Sequence, residues 1–168
     1  MIEDVLVEIR TAVNTFLPAA LNVEDAEYAV ADAAEFGHAL VLDDIVTVRF
    51  EEAGELEIQN YPALFLLPRA DDHDPIFTIN EFISHQVDCV VVIKDTDPVE
   101  LTRRLFRTVE ALRRVLTERV EETGVAEDPV FQVDIARSDY SPTFELEGGG
   151  LVKSAVLEAR FMEIEARP

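Results

Sequence analysis

Asp71, Asp72, His73 and Asp74 set three carboxylates and an imidazole on four consecutive residues, the donor types that hold a divalent cation. Adjacent side chains beside Pro75 fan apart rather than converge. The segment "RADDHDP" therefore reads as a solvated acidic loop, and no metal site is expected there. "GGGLVKS", residues 148–154, joins glycines to a lysine and a serine in a way that suggests a phosphate loop. That loop needs Gly directly before the lysine and a helix after it, whereas Val152 precedes Lys153 and a strand pattern follows. Gly148 to Gly150 are instead expected to form a hairpin connection at positive φ. His38 and His85 have no acid or cysteine at ligand spacing and are expected to be structural. Cys89, inside "VDCVVVIK", reads as a small buried hydrophobe. The sequence holds no G-x-S-x-G, C-x-x-C or H-E-x-x-H, so neither an enzyme nor a cofactor is expected.

A different chemistry is concentrated in "DPVELTRRLFRTVEALRRVLTER", residues 97–119, which holds six of the chain's twelve arginines. Asp97 can cap a helix, Pro98 suits its first position, and Glu100 stands three residues after the cap. At about 100° per residue, Leu101, Leu105, Val109, Leu112 and Leu116 fall in one sector roughly 80° wide. Arg103, Arg107 and Arg114 lie on the opposite side, with Arg113 at its edge. Glu100 and Glu110 stand four residues before Arg104 and Arg114, pairs that stabilise a helix modestly. Arg103 and Arg107 are four apart with like sign and need acids from elsewhere. Two readings stand: a solvated, salt-bridged helix face, or a surface for an acidic partner. A second copy of the chain would be such a partner, its carboxylates coming from Asp71, Asp72 and Asp74 or from Glu51 and Glu52.

Those carboxylates are abundant, because 35 Asp and Glu face 14 basic residues for a formal charge of -21. Such a surface repels nucleic-acid phosphates, so no specific nucleic-acid binding is expected. Lys94 and Lys153 are the only lysines, and an acid-rich, lysine-poor surface suits concentrated salt, where screening relieves self-repulsion. A halophilic host is one expectation, an ordinary acidic protein the other. The apolar runs fall short of the roughly 20 residues a bilayer requires, so no membrane role is expected. "MIEDVLVEIR" carries acids where a secretory signal carries basic residues, which predicts a protein made and kept in a cytoplasm.

The elements that position these residues follow from periodicity. With 168 residues, the chain is expected to be one domain, 1–168, burying about two thirds of its unfolded surface. Apolar residues from Ile2 to Leu17 mark a helix that Pro18 is expected to end, and a second short helix is expected over residues 22–37. "DIVTVRFEE" and "ELEIQ" read as a hairpin, "YPALFLLP" as a strand, and "QVDCVVVIK" as a central strand covered on both faces. "VFQVDIAR" and "LVKSAVLEARFMEIEA" read as two further strands around the turn "SDYSPTF". In the last of these, Lys153, Ala155, Leu157, Ala159 and Phe161 form the covered face. The predicted class is α/β (α+β): a mostly antiparallel sheet with an N-terminal helix and one long arginine-rich helix packed on it.

This order of elements resembles the tail terminator (tail completion) proteins of long-tailed bacteriophages and related archaeal tailed viruses. The likeness rests on Tyr61-Pro62-Ala63, on the D-P-x-E-L-T start of the arginine helix, and on Asp139-Tyr140-Ser141-Pro142 before a glycine-linked final strand. It spans nearly the whole chain, although residues 22–44 fit it poorly. The resemblance implies a non-catalytic virion subunit, assembled in the host cytoplasm, that forms a six-membered ring at the head-proximal end of the tail. Such a ring stops tube polymerisation and meets the tail tube protein on one side and a neck or connector protein on the other. Another head-tail connector subunit is the nearest alternative; a nucleic-acid-binding protein and a small-molecule-binding domain are further ones.

Overall fold

The computed structural model describes residues 2–45, 47–49, 60–75, 80–120, 132–147 and 149–166. Two helices and six strands follow in the order α1 (Ile2–Phe36), β1 (Thr47–Arg49), β2 (Ala63–Pro75), β3 (Asn80–Asp95), α2 (Pro98–Arg119), β4 (Gln132–Tyr140), β5 (Phe144–Glu145) and β6 (Leu151–Ala166). The sheet runs β1-β2-β3-β6-β4, with β5 also paired to β6. β1 and β2 are parallel and the other pairings antiparallel, so the α+β class and the mostly antiparallel sheet expected from the sequence are observed.

Helix α2 begins as its sequence dictates. The Asp97 carboxylate accepts hydrogen bonds from the amides of Val99 (2.7 Å) and Glu100 (3.0 Å), and Pro98 occupies the first turn. All five residues of its apolar sector are buried. They meet a continuous apolar surface from the middle of the sheet: Val87, Cys89, Val91 and Ile93 of β3 and Ala155, Leu157, Ala159 and Phe161 of β6. The alternation read in the last strand is thus realised. Burial pushes the Cys89 thiol up to about 12, as befits a core hydrophobe.

The opposite sheet face is not uniformly apolar. Val92 packs there with Ala63 and Phe65, but farther along β3 the same face carries Asp88, whose carboxylate accepts a 2.6 Å hydrogen bond from Arg69. β3 is central and paired on both sides, as expected, yet the continuous valines do not mark two equivalent apolar faces.

Three expectations are corrected. α1 does not end at Pro18, and the two short helices are one helix from Ile2 to Phe36 that contains it. Leu17 and Leu21 are both buried, so packing continues across the proline and holds the helix together despite the missing amide donor. The acidic segment with Asp71, Asp72 and Asp74 is not a loop, because its backbone pairs with His85, Ser84 and Phe82 as the end of β2. The run "SDY" extends β4 to Tyr140 rather than beginning the turn, with a bulge between Ile135 and Arg137. Of the expected hairpin, β1 pairs with the start of β2, while "ELEIQ" lies outside the described residues.

Candidate subunit interface

Four arginines of α2, Arg103, Arg107, Arg114 and Arg119, meet α1, which runs antiparallel across them. Arg107 donates from both terminal nitrogens to the Asp32 carboxylate, each bond 2.6 Å long. Arg103 adds an ion pair to the same group at 2.5 Å. The Leu40 amide also donates to Asp32, at 3.2 Å. Side-chain exposure is 4% for Asp32, 13% for Arg103 and 12% for Arg107, so the cluster is screened from solvent. The Arg107 guanidinium beside Asp32 holds its carboxyl well below the usual carboxylate range.

The ladder extends along both helices. Arg103 stacks 3.7 Å over the Phe36 ring, Arg107 lies 4.4 Å over Tyr28, Arg114 pairs with Glu24 at 3.0 Å, and Arg119 sits 5.8 Å over Phe16. Glu24 feels two opposing effects: burial raises its pKa more than Arg114 lowers it. Phe16, Glu24, Tyr28, Asp32 and Phe36 all fall on one four-residue spacing, a stripe of acids and rings matched to the arginines opposite. The carboxylate that Arg103 and Arg107 share, Asp32, therefore comes from the same chain. Arg104 serves a different purpose, donating to the Val41 carbonyl (2.7 Å) and pairing with Asp43 (3.1 Å) and Asp95 (2.9 Å), which fastens the segment after α1 to the start of α2.

Arg113 turns to the sheet edge, where it donates to the Ser138 hydroxyl at 3.0 Å. Asp71, Asp72 and Asp74 belong to β2, on the far side of β3 and β6 from the β4 edge. Glu51 and Glu52 lie outside the described residues. The structure thus gathers Arg103 and Arg107 on Asp32 of the same chain.

The motif Asp139-Tyr140-Ser141-Pro142 shapes a second surface. The Ser141 amide donates to the Ser154 carbonyl and the Ser154 amide donates to the Ser141 hydroxyl, both at 2.9 Å, which straps the turn to β6. Tyr140 meets Phe106 of α2 edge to face, with ring centres 4.7 Å apart, and the Lys153 ammonium lies 5.8 Å from the Phe106 ring. Gly149 and Gly150 adopt φ of 88° and 100°, as a hairpin connection into β6 needs. On the opposite sheet face Phe144, paired with Val152, is 56% exposed. Tyr140 and Phe106 are also exposed, so the β4–β5 edge presents aromatic rings on both sides.

His85 and Glu163 form a buried pair at 2.7 Å across β3 and β6. Seventy-eight residues separate them, so no local spacing could have shown that His85 has an acid partner.

No protein-family model matches the chain, and no curated protein matches it. Twenty-three chains of solved structure match. One, from the virion of native gene transfer agent (GTA) particle, is 12% identical over 90% of this chain and 97% of that one, with a TM-score of 0.43. Identity and score are both too low for a role to be read across.

Proposed function

We propose that the chain is a structural, non-catalytic virion subunit of the tail-terminator kind. Copies assemble head to tail into a six-membered ring on the head-proximal end of the tail. The ring occupies the growing end of the tube with a surface that another tube subunit cannot extend, and it presents its other side to a neck or connector protein. The observation that carries this reading is the aromatic edge at Asp139-Tyr140-Ser141-Pro142. These residues belong to the likeness to tail terminators, and here they hold Tyr140, Phe106 and Phe144 exposed on a chain of charge -21. Large rings kept at a rigid, strapped edge of so acidic a molecule suit a permanent protein neighbour better than water.

The charge arrangement weighs against the nucleic-acid alternative. Arg103 and Arg107 share the Asp32 carboxylate and are nearly buried, so phosphates have little to meet there. The direct test adds purified protein to tail-tube subunits as they polymerise, with tube length and end labelling read by electron microscopy. Termination predicts short tubes carrying the protein at one end only. Tubes that lengthen as they do without it contradict the reading.

A further inference from the structure

Helix α1 carries one apolar stripe in two conditions. Its residues recur at alternating steps of four and three, through Val5, Ile9 and Ala12 in the first half and Ala19, Val23, Ala26 and Val30 in the second. The first three are fully buried in the core, whereas the four that continue the stripe are exposed. Val30, at 84%, is the most open of the large apolar side chains described. A helix ordinarily turns such a stripe inward, and here the chain's own body covers only half of it.

The opposite flank of the molecule has a matching need. α1 packs on α2 and β2, whereas Phe106 and Tyr140 stand where α2 meets β4, and β3 and β6 separate β2 from β4 in the sheet. Val99, two turns before Phe106 on α2, is about half exposed, as are Phe106 and Tyr140. The two flanks differ in their spare charge. Glu27, four residues after Val23, is exposed and makes no ion pair among the described residues. At the β4 edge Asp139 is paired with Arg137 at 2.9 Å and Glu110 with Arg113 at 3.9 Å. The Lys153 ammonium there has the Thr102 hydroxyl at 3.3 Å and the Phe106 ring, but no carboxylate among the described residues. One flank thus sets a spare acid beside open valines, and the other a spare cation beside open rings.

We infer that the outer stripe of α1 on one copy packs against the Phe106–Tyr140 edge of the next. This rests on the ring reading above and specifies its contact: Val23 and Val30 seat on Phe106 and Tyr140, Ala26 lets the helix lie close, and Glu27 faces Lys153. Stripe and edge are different surfaces on opposite flanks. The contact is therefore heterologous, and each added copy presents a fresh stripe or edge until the ring closes. Residues 22–44, which fit the likeness to tail terminators poorly, supply Val23, Glu27 and Val30, so the contact belongs to this chain and not to the resemblance. The apolar seat persists in molar salt, while the Glu27–Lys153 attraction is screened there.

The test uses two full-length variants at exposed positions, Val30→Glu and Phe106→Glu, with molar mass measured by light scattering in molar salt. Each variant alone is expected to fall from the ring mass to that of a single chain. Mixed in equal amounts, they are expected to form a two-chain species, because the first retains a sound edge and the second a sound stripe. That recovery also shows both variants to be folded. A second pair, Val23→Glu and Tyr140→Glu, repeats the test if either first chain fails to unfold cooperatively. If Val30→Glu alone keeps the ring mass, the stripe has another occupant, such as a tube or neck protein, and the contact is wrong. If Phe106→Glu alone keeps it, the ring closes by another surface and the contact is equally wrong. Folded single chains that stay single after mixing also overturn it. A wild-type protein that is itself a single chain removes the ring reading and the contact with it.

Discussion

At the residue scale, half of the chain's arginine lies on α2 because α1 lays a matching stripe over it. Asp32 and Glu24 share this surface yet respond oppositely to protons. Asp32 has a lowered pKa in the fold, so its contribution is complete above the unfolded value of about 4 and is lost as pH falls toward the lowered one. Glu24 has a raised pKa, so the fold takes up a proton more readily than the unfolded chain and gains stability as pH falls through the raised value. Asp32→Asn leaves two nearly buried guanidinium groups without their counter-charge and is expected to cost about 3 kcal/mol at neutral pH. Glu24→Gln breaks a pair whose arginine is a third exposed and is expected to cost less than about 1 kcal/mol. Urea unfolding at neutral pH and near pH 4 checks both, and equal losses for the two variants would contradict the assignment. The wheel correctly sent Arg103 and Arg107 away from the sheet. Their partners were hidden because the helix supplying them was expected to stop at Pro18, although the repeating four-residue spacing of Phe16, Glu24, Tyr28, Asp32 and Phe36 was there to be read.

At the element scale, what periodicity governs was legible and what tertiary pairing governs was not. The cap, proline and leucine sector of α2 and the alternation of β6 are local patterns with one good solution each. The "DDHD" segment has a loop's composition, but its backbone is drawn into the sheet by β3 beside it. Beyond Phe65, β2 pairs only with β3 among the described residues. Pro18 shows the same override within a helix. It deprives the Asn14 carbonyl of a donor and crowds it, while buried Leu17 and Leu21 keep α1 continuous. Pro18 itself is exposed, so Pro18→Ala restores the bond without opening a cavity. It is expected to add about 1–3 kcal/mol, and for a chain of this size each kcal/mol raises Tm by about 2–4 °C. An unchanged or lower Tm in a thermal scan would show that a bend at this point is required by the packing of α1.

At the scale of the whole molecule, acids and exposed rings lie side by side, as where Glu145 and Glu147 follow Phe144 on the surface. Positive charge is largely consumed between α1 and α2, and exposed rings lie at the β4–β5 edge and also on α1, at Tyr28 and Phe36. Concentrated salt favours such a molecule twice, by screening the carboxylates from one another and by strengthening apolar contacts between copies. The fold class could be read from the order of helix and strand signals, whereas the aromatic edge could not, because Phe106 and Tyr140 come together only when α2 packs beside β4. The most direct measurement is the molar mass of the wild-type protein in molar salt by light scattering, with a short DNA duplex in a parallel sample. A discrete species of about six times the 18.8 kDa chain, unchanged by DNA, is the predicted result. A single chain whose mass rises only with DNA would contradict the ring and return the arginine helix to the nucleic-acid reading.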